Sequence, residues 1–191
     1  MSFCLWLTGL PGSGKSTILK ELLAMLSASG IETVTLSLDH IRKIVTPDPK
    51  YTEEERNIVY RSLVMMAHLL MTEGHRNVII DATGNRREFR DLARRLIPDF
   101  AEIYIQCPLE TCAEREALRR GQPVEKDLYQ RAMKGALKGE MPGVSAPYEA
   151  PEHPEVVVRS DLLSPRESAE HIMAYVRSKW PTKSREEAPI C

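Results

Sequence analysis

The sequence has few of the features that mark disulfide-rich, zinc-binding, nucleic-acid-binding or membrane proteins. Only four of its 191 residues are cysteines. They form neither a C-x-x-C pair nor a His/Cys cluster at metal-ligand spacing, so we expect reduced thiols rather than disulfides or zinc. The formal net charge is −1, so no overall field attracts nucleic acid or an anionic membrane. No apolar run reaches the length of a membrane span, and no secretory signal is recognisable. We therefore expect a cytoplasmic protein that binds small molecules rather than nucleic acid or membranes.

The apolar pattern alternates between short strands and helices. Strands are predicted at 3–8, 33–38, 77–81, 102–107 and 155–158, and helices at 16–28, 53–74, 88–96, 108–119, a stretch reaching about 137, and 164–179. This alternation predicts an α/β fold with a parallel sheet covered by helices on both faces. With 42% hydrophobic residues, the chain is long enough for one domain with a full core and short for two.

The segment GLPGSGKST at residues 9–17 is the strongest motif in the chain. It satisfies G-x-x-x-x-G-K-[ST] and lies between a predicted strand and a predicted helix, as that motif requires. Its glycines let consecutive backbone N–H groups converge on phosphate, and the helix N-terminus adds its positive dipole end. Lys15 would reach the β- and γ-phosphates of ATP, and the Ser16 hydroxyl would coordinate Mg²⁺. The residues predicted to bind ATP here are Gly9, Leu10, Pro11, Gly12, Ser13, Gly14, Lys15, Ser16 and Thr17.

The remaining sequence favours a compact kinase over other nucleotide-binding proteins. A GTPase would need an N-K-x-D segment, which is absent, although DATG at 81–84 matches the D-x-x-G of a GTPase switch. We therefore predict a three-layer P-loop kinase fold with a parallel sheet of about five strands. Residues 1–180 would form a single domain with a mobile lid at about 115–128, and residues 181–191 a flexible tail. With Mg²⁺ bound, ATP would donate its phosphate to a hydroxyl of a small anionic acceptor.

Two aspartates come at the ends of predicted strands. Asp39 follows the second strand and Asp81 the third, and ligands bind at the carboxyl ends of the strands in such sheets. Together with Lys15 they are the predicted catalytic residues, and Asp39 is also predicted to hold Mg²⁺ with Ser16. The sequence leaves open which aspartate orients the acceptor hydroxyl and which binds a magnesium-bound water. It also leaves open a helix N-cap role for each.

Arginines near these positions supply positive charge for anionic substrates. Arg42, Arg56 and Arg86 are predicted to bind the acceptor. Arg115, Arg119 and Arg120 precede a Gly-Gln-Pro segment and are predicted to close over the phosphates of ATP, as a lid that excludes water would.

With these residues in hand, the chain resembles the adenylylsulfate kinases, which transfer the ATP γ-phosphate to the 3′-hydroxyl of adenylylsulfate. LDHIR resembles that family's D-N-[VI]-R, YTEEER its F-[ST]-x-x-D-R, and CPLETCAER its C-P-L-E-x-C-x-x-R. KDLYQRAMKGALKG and PYEAPEHPEVVV are similar to two further family segments. The resemblance implies that Tyr51 stacks on a base, that Arg115 lies near the adenine of ATP, and that Lys138 lies close to the substrate. It also implies a homodimer.

The departures from the family pattern fall on the acceptor side. Ser37 replaces an aspartate, Val59 replaces an asparagine, residues 82–86 replace I-S-P-Y-R, and EMPGVS replaces F-T-G-I-D. Because deleting substrate hydrogen bonds tends to change which substrate fits, two alternatives stay open. One is a related kinase for another nucleotide conjugate, a sugar or a polynucleotide end, since IIDATGNRREFR is similar to segments of polynucleotide-kinase-like and zeta-toxin-like enzymes. The other is an ATP-binding module without turnover.

Overall fold

A computed structural model describes residues 2–118, 128–134 and 141–181 of the chain. Within these ranges the strands are β1 (Cys4–Thr8), β2 (Thr33–Ser37), β3 (Asn77–Asp81), β4 (Phe100–Gln106) and β5 (Val156–Arg159). The helices are α1 (Lys15–Ala28), α2 (Leu38–Val45), α3 (Glu53–Thr72), α4 (Arg87–Leu96), α5 (Leu109–Ala117), α6 (Leu128–Met133) and α7 (Pro165–Lys179). No helix within the described ranges is long and apolar enough to cross a membrane.

The five strands form one parallel sheet in the order β2-β3-β1-β4-β5. Every residue of the central strand β1 is buried. Because side chains alternate across a strand, Leu5 and Leu7 pack with α1 and α7, whereas Cys4 and Trp6 pack with α2, α3 and α4. Burial on both faces explains the unbroken apolar run of β1. The sheet confirms the predicted fold class.

The chain differs from the prediction around Asp39. The strand β2 ends at Ser37, and Asp39 lies in the first turn of α2, a helix that the sequence did not predict. The inward-facing residues Leu38 and Ile41 are buried against the α3 side of the core, and eight residues are too few to show this periodicity clearly. Asp39 still lies at the carboxyl edge of the sheet, two residues beyond the end of β2.

The structure describes only part of three predicted segments. Residues 115–117 of the predicted lid at about 115–128 belong to α5. Residues 119–127 of that lid lie outside the described ranges, as do 182–191 of the predicted tail. The helix expected to reach about 137 ends at Met133 as α6, and residues 135–140 again lie outside the description.

Candidate active site

The loop between β1 and α1 has the backbone shape of a phosphate-binding loop. Gly12 has φ +81°, and a Cβ placed on it would lie 2.4 Å from the Cys112 carbonyl oxygen, so only glycine fits there. Gly14, the N-cap of α1, is left-handed and has no side chain to cap the helix. The cap therefore offers no side-chain acceptor to the first-turn N–H groups of α1. N–H groups in this position at a helix N-terminus are the ones that bind anions.

Lys15 folds back over this loop. Its Nζ donates to the carbonyl oxygens of Gly9 at 2.7 Å and Leu10 at 3.0 Å. These contacts hold the ammonium at the edge of the loop. Bound phosphates would replace the two neutral carbonyl acceptors with charged oxygens. Charge-assisted hydrogen bonds are the stronger kind.

Ser16 and Asp81 meet across the front of the loop. Ser16 Oγ donates to Asp81 Oδ2 at 3.2 Å, because β3 lies beside β1 and ends at Asp81. Burial raises the pKa of Asp81, the charge of Lys15 and the Ser16 hydrogen bond oppose that rise, and the charge of Asp39 adds to it. Asp39, Asp81 and Lys15 are thus close enough to interact. The predicted metal pair was Ser16 with Asp39, whereas the hydrogen bond that forms joins Ser16 to Asp81.

A hydroxyl and a carboxylate are oxygen ligands of the kind that Mg²⁺ prefers, usually with waters and substrate phosphates completing its shell. The described residues contain no group of three or more His, Cys, Asp and Glu side chains that could hold a metal by themselves. The donor set therefore fits Mg²⁺ delivered with a nucleotide better than a permanently bound ion.

Arg42 and Tyr51 contact each other beside Asp39. The Arg42 Cζ lies 5.5 Å from the centroid of the Tyr51 ring, within cation–π range. Tyr51 is 37% exposed and has a left-handed backbone with φ +58°. The Glu55 carboxylate holds this turn, accepting from the backbone N–H groups of Lys50 at 3.1 Å and Tyr51 at 2.5 Å. The Tyr51 ring is therefore available to a base while Arg42 lies over it.

The charges of Arg56 and Arg86 both act on Glu53. The Arg86 guanidinium donates to Glu53 Oε1 at 2.5 Å and lies 3.5 Å from Glu88 Oε1. This hydrogen bond, the charge of Arg86 and then the charge of Arg56 lower the pKa of Glu53. Arg86 was predicted from the sequence to bind the acceptor. The structure places it at the N-terminus of α4, where its guanidinium is committed to an ion pair with Glu53 of α3.

Arg115 lies beside the phosphate-binding loop. Its Nη2 donates to the Ser160 carbonyl oxygen at 2.8 Å, and Ser160 Oγ donates to the Ser13 carbonyl oxygen in the loop at 2.7 Å. A Cβ on Gly14 would lie 3.8 Å from Arg115 Nη1. The guanidinium is therefore fixed beside the phosphate-binding loop on α5, rather than on a lid. Arg119, Arg120 and Lys138 lie outside the described residues.

Two buried tyrosines hold the loops of this site and were missed from the sequence. Tyr129 Oη donates to the Pro11 carbonyl oxygen at 2.7 Å, and Tyr60 Oη accepts from the Gly84 N–H at 3.0 Å. Each tyrosine is 3% exposed. A tyrosine on the buried face of a helix needs a partner for its hydroxyl, and for Tyr60 that rule was a usable signal.

The chain is similar over most of its length to known adenylyl-sulfate kinases. The sequence profile described as adenylylsulphate kinase matches residues 1–159. The chain is 36% identical over 180 residues to the adenylyl-sulfate kinase of Thermodesulfovibrio yellowstonii, covering 93% of this chain and 85% of that protein. It is 39% identical over 168 residues to the adenylyl-sulfate kinase of Picosynechococcus sp., covering 88% of this chain and 89% of that protein.

A solved structure shows the same fold. The Mycobacterium tuberculosis APS kinase CysC, in complex with AMPPNP and APS, matches with a TM-score of 0.78 and 28% identity, covering 92% of this chain and 98% of that chain. This likeness confirms the predicted P-loop kinase fold. The chain belongs to the adenylylsulphate kinase family.

Proposed function

We propose that this protein transfers the γ-phosphate of ATP to the 3′-hydroxyl of adenylylsulfate. The observation that carries the proposal is the meeting of Lys15, Ser16 and Asp81 at the carboxyl edge of β1 and β3, with Ser16 Oγ 3.2 Å from Asp81. Family membership and the APS bound to the Mycobacterium tuberculosis relative support adenylylsulfate as the acceptor.

On the donor side, the loop and the first turn of α1 bind the β- and γ-phosphates. Lys15 turns from the Gly9 and Leu10 carbonyls to the phosphates, and neutralises charge on the transferring group. Arg115 lies against the nucleotide from α5. Ser16 and Asp81 would hold Mg²⁺, directly or through a water, and the ion would supply further neutralisation of phosphate charge.

On the acceptor side, Asp39 orients the attacking hydroxyl. Asp81 is bound to Ser16, so Asp39 is the carboxylate left to accept the proton. As the 3′-oxygen forms its bond to the γ-phosphorus, the bond from that phosphorus to the bridging oxygen of ADP breaks, and the hydroxyl proton passes to Asp39. Arg42 and Arg56 bind the anionic groups of adenylylsulfate, and Tyr51 stacks on its base.

The test is acceptor-dependent release of ADP, measured by a coupled assay with ATP and Mg²⁺ over adenylylsulfate, a sugar, another nucleotide and an oligonucleotide end. We expect release with adenylylsulfate and a product phosphorylated at the 3′-position. Lys15→Ala is expected to lower turnover by about 100-fold or more, because the charge it supplies acts in the transition state. Lys20→Ala, an exposed lysine on the same helix, is the matched control and should leave turnover unchanged.

Release with a sugar or an oligonucleotide but not with adenylylsulfate would overturn the acceptor assignment. The absence of release with every acceptor would favour an ATP-binding module. Full turnover by Lys15→Ala would refute the role of the loop.

A further inference from the structure

The loop of residues 82–85, between β3 and α4, is bound at every backbone carbonyl. This loop follows Asp81 directly and replaces family residues on the acceptor side. The four donors are Trp6 Nε1 to Ala82 at 3.0 Å, Thr8 Oγ1 to Thr83 at 2.5 Å, Arg90 Nη1 to Gly84, and the Glu149 N–H to Asn85 at 2.8 Å. They come from β1, α4 and the segment before β5, so the sheet, a helix and a distant loop all hold it.

Tyr60 adds a contact of the opposite polarity. Its hydroxyl accepts from the Gly84 N–H at 3.0 Å, while the Gly84 carbonyl is bound by Arg90. Gly84 has φ +53°, and a Cβ there would meet Arg90 and Trp6 side-chain carbons at 3.1 Å. Gly84 is thus bound at both its N–H and its carbonyl, in a position with no room for a side chain.

The Tyr60 ring has little freedom to move. It is 3% exposed and stacks on Phe89 at 4.1 Å between centroids, with 8° between the ring planes, and lies 6.2 Å from the Trp6 ring. A phenylalanine would keep this aromatic packing and lose only the hydroxyl. The hydroxyl can therefore be tested without opening a cavity.

The charges of the groups assigned to the acceptor also act on this hydroxyl. Burial raises the pKa of Tyr60, and the Gly84 hydrogen bond and the charges of Arg42 and Arg56 oppose that rise, while Asp39 adds to it. Tyr60 is therefore close to three groups that the proposed function places on the acceptor, and it connects them to the loop that follows Asp81.

We propose that Tyr60 is a positioning residue for the acceptor: its hydroxyl fixes the Gly84 peptide, and with the four donors to the carbonyls it holds residues 82–85 in place beside the acceptor site. The proposal rests on the proposed function for the location of that site. Its counterpart on the ATP side is Tyr129, which holds the phosphate-binding loop at Pro11. The two hydroxyls therefore allow the two substrate sites to be perturbed separately.

The experiment compares Tyr60→Phe with Tyr129→Phe in steady-state kinetics. One neutral hydrogen bond corresponds to about a three- to tenfold change in an equilibrium. We therefore expect Tyr60→Phe to raise KM for the acceptor by about that factor and to change KM for ATP by less than about twofold. Tyr129→Phe should do the reverse. Tyr175→Phe, whose ring packs edge-on against Trp180 on the other face of the sheet, should change neither KM.

A second measurement does not depend on turnover. We expect amide hydrogen exchange at Gly84, followed by NMR, to accelerate by about three- to tenfold in Tyr60→Phe and to stay unchanged in Tyr129→Phe. Equal changes in both KM values, or unchanged Gly84 exchange in Tyr60→Phe, would overturn the proposal. KM is measured with whichever acceptor supports turnover, so the failure of adenylylsulfate as a substrate would count against the proposed function and not against the role of Tyr60.

Discussion

At the scale of single residues, the buried charge of Asp81 lowers the stability of the fold, although the proposed reaction needs that charge. Its carboxylate is held at the edge of the sheet beside Ser16, and burial raises its pKa above the ordinary value of 3.8 despite the opposing charge of Lys15. The folded protein therefore binds a proton at Asp81 more tightly than the unfolded chain does. The favourable contribution of this group is complete below pH 3.8 and is lost as the pH rises through the folded-state pKa.

Asp81→Asn should consequently make the protein more stable and less active. At pH 7 the substitution removes a charge whose burial costs free energy, so we expect a higher melting temperature, with a gain that shrinks as the pH falls toward 3.8. We expect turnover to fall by about 100-fold or more, because a group that acts on the phosphates is lost. Thermal melts between pH 3 and 8 and the ADP assay measure both effects.

Asp91→Asn, an exposed aspartate on α4, is the matched control for Asp81→Asn. A variant at Asp81 that melted lower at pH 7, or that kept full activity, would contradict this account.

At the scale of elements, Arg90 joins α4 to β4 and to the segment before β5. It is 1% exposed, and its Nε lies 2.5 Å from Glu102 Oε1, a side chain that is also buried. Its remaining donors bind the carbonyls of Gly84 and of Glu149, the latter at 2.6 Å. One guanidinium thus donates hydrogen bonds to three separate segments, and its loss would leave buried acceptors without their donor.

We expect Arg90→Met to lower the free energy of unfolding by about 3–5 kcal/mol, because removing one partner of a buried ion pair leaves the other charge uncompensated. Arg94 also reaches Glu102, at 3.3 Å, and offsets part of the loss. Urea denaturation provides the measurement. The double variant Arg90→Met with Glu102→Leu should recover part of the stability, since no buried charge is then left unpaired.

Arg166→Ala is the control for that experiment. Arg166 pairs with Glu170 at 3.2 Å on the exposed face of α7, and exposed pairs contribute little. An equal loss of stability in the Arg90 and Arg166 variants would show that burial does not determine the effect.

At the scale of the whole molecule, the strand order places the phosphate-binding loop at the centre of the sheet. The central strand β1 has β3 on one side and β4 on the other, and α1 continues from the loop into the core with α7. A ligand on this loop therefore contacts a segment that is formed only in the folded protein, so its binding free energy adds to the stability of the whole fold.

A non-hydrolysable ATP analogue with Mg²⁺ should therefore raise the melting temperature. At a concentration about 100 times its Kd, the gain is about 2.7 kcal/mol, which corresponds to about 5–10 °C for a chain of this size. AMP lacks the β- and γ-phosphates and should shift the melting temperature much less, and Lys15→Ala should remove most of the shift. Equal shifts with AMP and the ATP analogue would contradict phosphate binding by the loop.

Much of this molecule was predictable from the sequence because the relevant signals are local. The phosphate-binding motif needs eight consecutive residues, and the alternation of strands and helices follows from apolar periodicity. Both are confirmed, as is the family. The division into residues 1–180 and a tail, the homodimer and the cytoplasmic location stay predictions.

The pairings inside the site depend instead on contacts between distant parts of the chain. Ser16 and Asp81 are 65 residues apart, Glu53 and Arg86 are 33 apart, and Tyr60 and Gly84 are 24 apart. Periodicity predicts which face of an element is buried, but not which neighbouring strand or helix it meets. The sequence by itself therefore predicted that this chain binds a nucleoside triphosphate. The order of the strands and the packing of α3 and α4 on the sheet determined that Asp81 meets Ser16, that Arg86 is bound to Glu53, and that Tyr60 binds Gly84 in the loop after β3.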